Sequence, residues 1–330
     1  MNERLKALVF SIALFAVFAL MTVGPARAAA GEDFAVWLEG VRQEASAAGI
    51  SAATIESAFE GLAPLPRVIE LDRRQLKVTR TFNAYLKSAV SQQRINQGKR
   101  LFKANEHVLE DIGARYGVPP RYLVSLWGIE SNYGGYTGGF SVIAALATLA
   151  YDGRRSSFFR AELLNALKII DRGHIDTANM TGSWAGAMGQ VQFMPSSFFS
   201  FAVDYDDDGR MDIWNNISDA LASAANYLKK TGWVSGLRWG REIQLPEDFD
   251  MSLVGLDVKR SVDEWARLGV RRVDGGGLPA GTRISASVVQ PDRSGRSFLV
   301  YENFRVLLKW NRSVYFALAV GLLADALPCR

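Results

Sequence analysis

Glu130 closes the apolar stretch Leu126-Trp127-Gly128-Ile129-Glu130-Ser131-Asn132-Tyr133-Gly134. Pro119-Pro120 predicts a helix start just before it, because a proline's missing N–H has no intrahelical partner in the first turn anyway. Leu123, Leu126, Trp127 and Glu130 fall at i, i+3, i+4 and i+7 and therefore share one helix face. A carboxyl group on an apolar face is costly when ionised and unpaired. Desolvation favours its neutral form and lifts its pKa above the reference of about 4.3. An enzyme that cleaves acetal bonds needs that property in its proton donor. The plainer alternative is a helix-end glutamate bonded to neighbouring backbone.

A second signal is Gly182-Ser183-Trp184-Ala185-Gly186-Ala187-Met188-Gly189-Gln190-Val191-Gln192-Phe193-Met194-Pro195-Ser196-Ser197. Small residues here alternate with amides and hydroxyls. Such a run lets backbone approach a ligand closely while supplying hydrogen bonds. Pro195 then opens another helix.

A third is Asp204-Tyr205-Asp206-Asp207-Asp208-Gly209-Arg210-Met211-Asp212. Acids at positions 1, 3 and 5 with glycine at 6 match an EF-hand-type calcium loop, in which Arg210 at position 7 would offer its backbone carbonyl. Position 12 is Asn215, where a bidentate glutamate would ordinarily close the cage. Acids this close repel one another without a cation, which favours a calcium site; the alternative is a solvated acidic turn.

The Glu130-Ser131 pair and the long glycine-rich run together resemble the lytic murein transglycosylase B family of lysozyme-like glycosidases. The likeness continues through Val203-Asp204-Tyr205, Ile213-Trp214, Ala225-Asn226-Tyr227 and Thr231-Gly232-Trp233, and resumes at Asn303-Phe304 and Trp310-Asn311-Arg312-Ser313. It implies a periplasmic enzyme, a lyase acting on the glycan strands of peptidoglycan, in which Glu130 performs both proton transfers. The resemblance assigns Ser183 to the substrate's acetamido group and Gln192 and Tyr227 to the cleft. It pairs Trp310 with Asn311 where the family more usually has Tyr-Asn, and sets Phe158 where a tyrosine is usual. Tyr85 carries over on the short match Phe82-x-x-Tyr85. It also supplies an acid a few residues beyond the acidic loop, for which Asp219 is the candidate. A turn or capping serine, a structural amide and a packed tyrosine are the plain alternatives for Ser183, Gln192 and Tyr227. Between Glu130 and Asp152 there is no other acid, so the local sequence offers one carboxylate rather than a hydrolase's pair. A lysozyme-type hydrolase and a non-catalytic peptidoglycan-binding protein remain alternatives.

The elements that must position these residues read as α+β, mainly α: a lysozyme-like helical core, an additional helical region and a small β-containing subdomain. Residues 1–28 read as a signal peptide, with Arg4 and Lys6 ahead of the apolar run Leu8–Leu20 and Ala26-Arg27-Ala28 as a cleavage site. No cysteine stands directly after that run, so no lipid anchor is expected, unlike the membrane-bound members that give the family its name. Residues 29–118 are expected to be helical. Ser51 should start a helix, Gly61, Pro64 and Pro66 should stop one, and one or two long helices should span Thr81–Tyr116. Residues 119–232 form the expected catalytic core, with helices over Ser141–Ala150, Phe158–Asp171, Pro195–Val203 and Ser218–Lys230, the last ended by Gly232. Residues 233–304 form the β-containing part, with strands at Arg241–Leu245, Arg283–Val289 and Phe298–Tyr301 and a helix at Val262–Leu268. Residues 305–330 carry a helix, Ser313–Leu327, that packs back on the helical body.

The composition, 48% hydrophobic and 22% charged over 330 residues, suits a chain with a real core. Without Glu3, Arg4, Lys6 and Arg27 the net charge falls from +4 to +2. No stripe of basic residues interleaved with aromatics points to nucleic acid. His107 and His174 lack metal-ligand spacing with other donors and read as surface or packing residues. The single cysteine, Cys329, permits no intramolecular disulfide.

Overall fold

Serine and threonine caps decide where the helices begin. The computed structural model describes residues 33–75, 80–279, 281–292 and 295–329; the signal-peptide reading therefore lies outside the described residues. In chain order the elements are α1 (Phe34–Ala47), α2 (Ala52–Phe59), α3 (Pro66–Gln75), α4 (Phe82–Ala89), α5 (Gln92–Ala104), α6 (Glu106–Tyr116), α7 (Pro120–Ser131), β1 (Phe140–Ser141), α8 (Val142–Tyr151), α9 (Ser156–Asp171), β2 (Thr181–Gly182), α10 (Pro195–Phe201) and α11 (Ile217–Lys230). Next come β3 (Gly240–Gln244), β4 (Arg260–Ser261), α12 (Val262–Arg267), β5 (Arg271–Arg272), β6 (Ser285–Val289), β7 (Ser297–Val300), α13 (Glu302–Trp310) and α14 (Val314–Asp325). The side chains of Ser51, Thr81, Ser91, Ser141 and Ser313 each accept a hydrogen bond from the backbone N–H three residues on. Each satisfies one donor that the first turn leaves without an intrahelical partner.

Two expectations are corrected here. Thr81–Tyr116 is three helices, because Ser91 caps a fresh start and the Asn105 side chain turns back onto the Leu101 carbonyl, at 2.9 Å. Pro66 does not stop a helix; it is the first residue of α3. The end of α11 agrees closely with the sequence. Gly232, with φ at 107°, donates to the Lys229 carbonyl, and the Trp233 N–H reaches Leu228 at 2.9 Å. These are the two bonds of a Schellman ending.

The chain separates into two units. The described residues of one are 80–129, 228–279, 281–292 and 295–329; those of the other are 33–75 and 130–227. In the first, a five-stranded antiparallel sheet runs in the order β4-β6-β7-β3-β5. All four residues of β7 are buried, because both its faces are covered. Leu299 joins a core with Trp265, Val288 and Ile243 on one side. On the other side Phe298 meets Phe82 edge-on at 5.7 Å and lies 6.2 Å from Trp239. Gly321 lets α14 lie flat on Trp239, since a Cβ there would stand 2.3 Å from the indole. Helix α14 also packs on α4 and α13. Among the described residues, no single helix is long and apolar enough to cross a membrane.

In the second unit, α8 is buried from Val142 to Ala150 and lies along α9. The short pair β1–β2 aligns Phe140 with Gly182 and Ser141 with Thr181. That pairing brings the glycine-rich run alongside the chain leaving α7.

Candidate active site

Glu130 lies in the last turn of α7 and is 5% exposed. The sequence suggested one apolar face; the structure buries every residue from Tyr122 to Ser131. After the helix the chain reverses sharply. Asn132, Tyr133 and Gly134 are all left-handed, with φ of 51°, 60° and 75°. Two consecutive non-glycine residues in that region are uncommon and mark backbone held in place by its surroundings. Ser131 helps to hold it: its hydroxyl accepts from the Gly134 N–H at 2.9 Å and its carbonyl from Tyr136 at 2.8 Å. Tyr136 is left 40% exposed on this turn. Its signal was the run Gly134-Gly135-Tyr136-Thr137-Gly138-Gly139, which sequence reasoning passed over.

The glycine-rich run folds into a tight structure against that reversal. Isolated bridges join Gly182 to Met188 and Met188 to Phe193. The Ser183 hydroxyl accepts from the Ala187 N–H at 2.9 Å and the Ala185 N–H at 3.3 Å. Its oxygen is thus engaged by backbone, and its proton is what it has to offer. Gln192 adopts a left-handed φ of 51°. Its side-chain amide nitrogen donates to the carbonyls of Thr137 and Gly189, both at 2.9 Å. That fixes the amide's orientation and presents its carbonyl oxygen as an acceptor. Gln190, which the sequence reading quoted but did not single out, donates to the Trp214 carbonyl at 3.1 Å and packs on Gly134.

Tyr227 is buried among Phe201 and Phe193, with ring centres 4.4 and 6.0 Å away, and burial pushes its phenol up to about 12. Phe158, half-buried in the first turn of α9, meets Phe159 edge-on at 5.1 Å. Tyr85, Trp310 and Asn311 belong to the other unit. There Tyr85 lies 5.8 Å from the Tyr315 ring, Trp310 is buried, and the Asn311 side chain accepts from the Ser313 N–H at the start of α14. His107 is exposed on α6, and the His174 ring packs edge-on to Phe198 at 5.3 Å.

The acidic loop gathers three carboxylates. Oxygens of Asp204, Asp206 and Asp219 lie within 4.8 Å of one another. Asp219, fully buried in the first turn of α11, accepts from the N–H groups of Tyr205 and Asp212 at 2.8 and 2.7 Å. Burial, with the charges of Asp206 and Asp204 beside it, raises its carboxyl to about 6. A buried acid set against two others fits a hard divalent cation bound through oxygen. Asp208, also expected as a ligand, is not among these three carboxylates. The Asp208 carboxylate instead accepts from the Arg210 N–H at 2.8 Å in a local turn.

Known proteins share this architecture along most of the chain. The family model described as "Transglycosylase SLT domain" matches residues 33–325. The membrane-bound lytic murein transglycosylase B of Escherichia coli (strain K12) is 32% identical over 251 residues, covering 73% of this chain. The chain spans 66% of that relative's length. SltB3 from Pseudomonas aeruginosa, solved in complex with NAG-NAM-pentapeptide, is 47% identical, with a TM-score of 0.87 over 90% of this chain and 80% of that one. The Escherichia coli lytic transglycosylase SLT35, solved in complex with calcium, is 28% identical, with a TM-score of 0.76 over 88% of this chain and 91% of that one.

Proposed function

The chain belongs to the transglycosylase SLT domain family, and we propose from that premise that it cleaves the β-1,4 bond between N-acetylmuramic acid and N-acetylglucosamine in peptidoglycan, leaving 1,6-anhydromuramoyl ends. The observation that carries this is Glu130, buried at the end of α7 beside a backbone reversal that is bonded to the glycine-rich run. As a carboxylic acid, Glu130 gives its proton to the glycosidic oxygen while the bond to C1 breaks. As a carboxylate, it then takes the proton of the muramoyl C6 hydroxyl, whose oxygen forms the new bond to C1. The acid is regenerated and no water is consumed.

Ser183 and Gln192 have complementary roles. With its oxygen engaged by Ala185 and Ala187, the Ser183 hydroxyl donates its proton, which suits an acetamido carbonyl. Gln192 accepts, which suits a sugar hydroxyl or amide N–H. Phe158 offers a stacking face on the same unit. Tyr227, Tyr85, Trp310 and Asn311 complete the proposed substrate set. The proposed location is the periplasm, where the glycan strands are.

A calcium ion held by Asp204, Asp206 and Asp219 would neutralise three converging carboxylates and stabilise the start of α11; its role is structural. The deciding experiment is mass spectrometry of the products released from purified sacculi. Anhydromuropeptides are expected. Products one water heavier, with reducing muramic ends throughout, would make the protein a hydrolase on the same scaffold.

A further inference from the structure

A pocket of about 370 Å³ opens within the unit that carries the sheet. Its walls come from residues around the start of β3, from the turn after β5 and from the last turns of α14. The volume is at the small end of ligand sites. Three arginines line it, Arg238, Arg241 and Arg272, together with three acids, Glu242, Asp274 and Asp325.

Each of the acids already has its partner. Both Glu242 oxygens are held by Arg296, at 2.7 and 2.8 Å. Asp325 accepts from Arg238 at 3.0 Å and from the Trp239 indole at 3.1 Å. Asp274 is bonded to Arg272 and to the Gly276 N–H. Arg241 is the exception. It makes no ion pair among the described residues, and its buried Nε has no hydrogen-bond acceptor. Its guanidinium lies 6.0 Å from the centre of the Tyr301 ring. A guanidinium carries five donors in a fixed fork that matches a carboxylate two bonds at a time. Among the described residues no wall carboxylate pairs with it, which leaves its fork open to a carboxylate that a ligand brings. Leu322 and Val273 provide an apolar side to the same pocket.

We propose that this pocket binds the terminal carboxylate of a short peptide ending in a small apolar residue, with Arg241 as its anchor. Taking that peptide as the alanine-ended stem of peptidoglycan rests on the reading given above; the carboxylate chemistry does not.

The test is a calorimetric titration of the full-length Glu130→Gln protein, which removes turnover, with N-acetyl-D-alanyl-D-alanine and with its C-terminal amide. The acid should bind at least about tenfold more tightly than the amide, the worth of one charge-assisted bidentate contact. The added substitution Arg241→Gln should abolish that difference. Acid and amide binding alike, a difference that persists in Arg241→Gln, or no saturable binding at millimolar acid would each overturn the proposal. Because acid and amide are compared on one protein, the answer does not hang on the folding of the Arg241 variant. No glycan is cleaved in this titration, so its failure leaves the transglycosylase reading standing, and a failure to cleave sacculi leaves this one standing.

Discussion

The buried carboxylate of Glu162, on α9, holds both the backbone N–H of Ser196, at 2.8 Å, and its hydroxyl, at 2.6 Å. It thereby anchors the first turn of α10, where the glycine-rich run ends. Burial raises the Glu162 carboxyl above its ordinary 4.5, against the opposing pull of the two Ser196 bonds. A carboxyl raised on folding stabilises fully below its unfolded pKa, and that contribution is lost as pH rises through the folded value. Urea midpoints of the wild type should therefore decline as pH climbs from 4.5 towards neutrality, and Glu162→Gln should flatten that part of the curve. Glu162→Ala leaves the Ser196 donor without its partner and should lose about 1–3 kcal/mol at neutral pH. Identical pH profiles for wild type and Glu162→Gln would remove Glu162 from this account.

Glu130→Gln should keep the fold, because the amide is nearly isosteric, and should lose at least about 10²–10⁴ in cleavage rate, since it cannot donate the proton. Melting temperature and muropeptide release, measured on the same preparation, check both halves. Turnover within a few-fold of wild type would exclude Glu130 from the mechanism.

Calcium should raise thermal stability. A cation bound only by the folded state adds about 2.7 kcal/mol at a hundredfold excess over Kd. With Asn215 where a closing glutamate would stand, the affinity should fall in the 10⁻⁴–10⁻³ M range, roughly that of extracellular modules. Asp219→Asn should abolish the response to calcium while the protein stays folded. Equal melting temperatures in millimolar calcium and in chelator would sink the site.

Gly138 and Gly139 make a matched pair. A Cβ on Gly138 would lie 1.9 Å from the Gly182 carbonyl, and its φ of 110° excludes ordinary side chains, whereas Gly139 has open space around it. Gly138→Ala should destabilise by about 1–3 kcal/mol and lower activity by moving the glycine-rich run. Gly139→Ala should change little. Chemical denaturation of the two variants side by side distinguishes them.

The sequence made most of the helical framework legible, because the signals were strong and local. Ser51, Ser141 and Ser313 each stand immediately before the helix they announced, and Gly232 stands two residues past the end of α11. Longer-range structure was harder to see. The strands β4 and β5 are two residues each, too short to carry a period, and owe their existence to partners in β6 and β3. Helix α13 was missed although Phe304, Leu307 and Trp310 are buried along it. In the site, the proposed acid Glu130 and the glycine-rich run were readable from residue types. The metal loop was only half readable. Spacing identified Asp204 and Asp206, but Asp219 enters from a helix beyond the twelve-residue window, and a local turn takes up Asp208. Glu162 was invisible as an anchor because its partner is thirty-four residues away and neither residue alone is unusual.

The three left-handed residues after α7 bear on register as well as shape. A helix could in principle slide by one turn, about 5.4 Å, and carry its side chains with it. Asn132, Tyr133 and Gly134 turn the chain in the one sense that a right-handed helix cannot absorb, so α7 can neither lengthen nor advance through them. The reversal acts as an end-stop. The position of the Glu130 carboxylate along the helix axis is therefore set by backbone on its C-terminal side, and a substitution at Tyr133 that restored ordinary backbone would act on the acid without touching it.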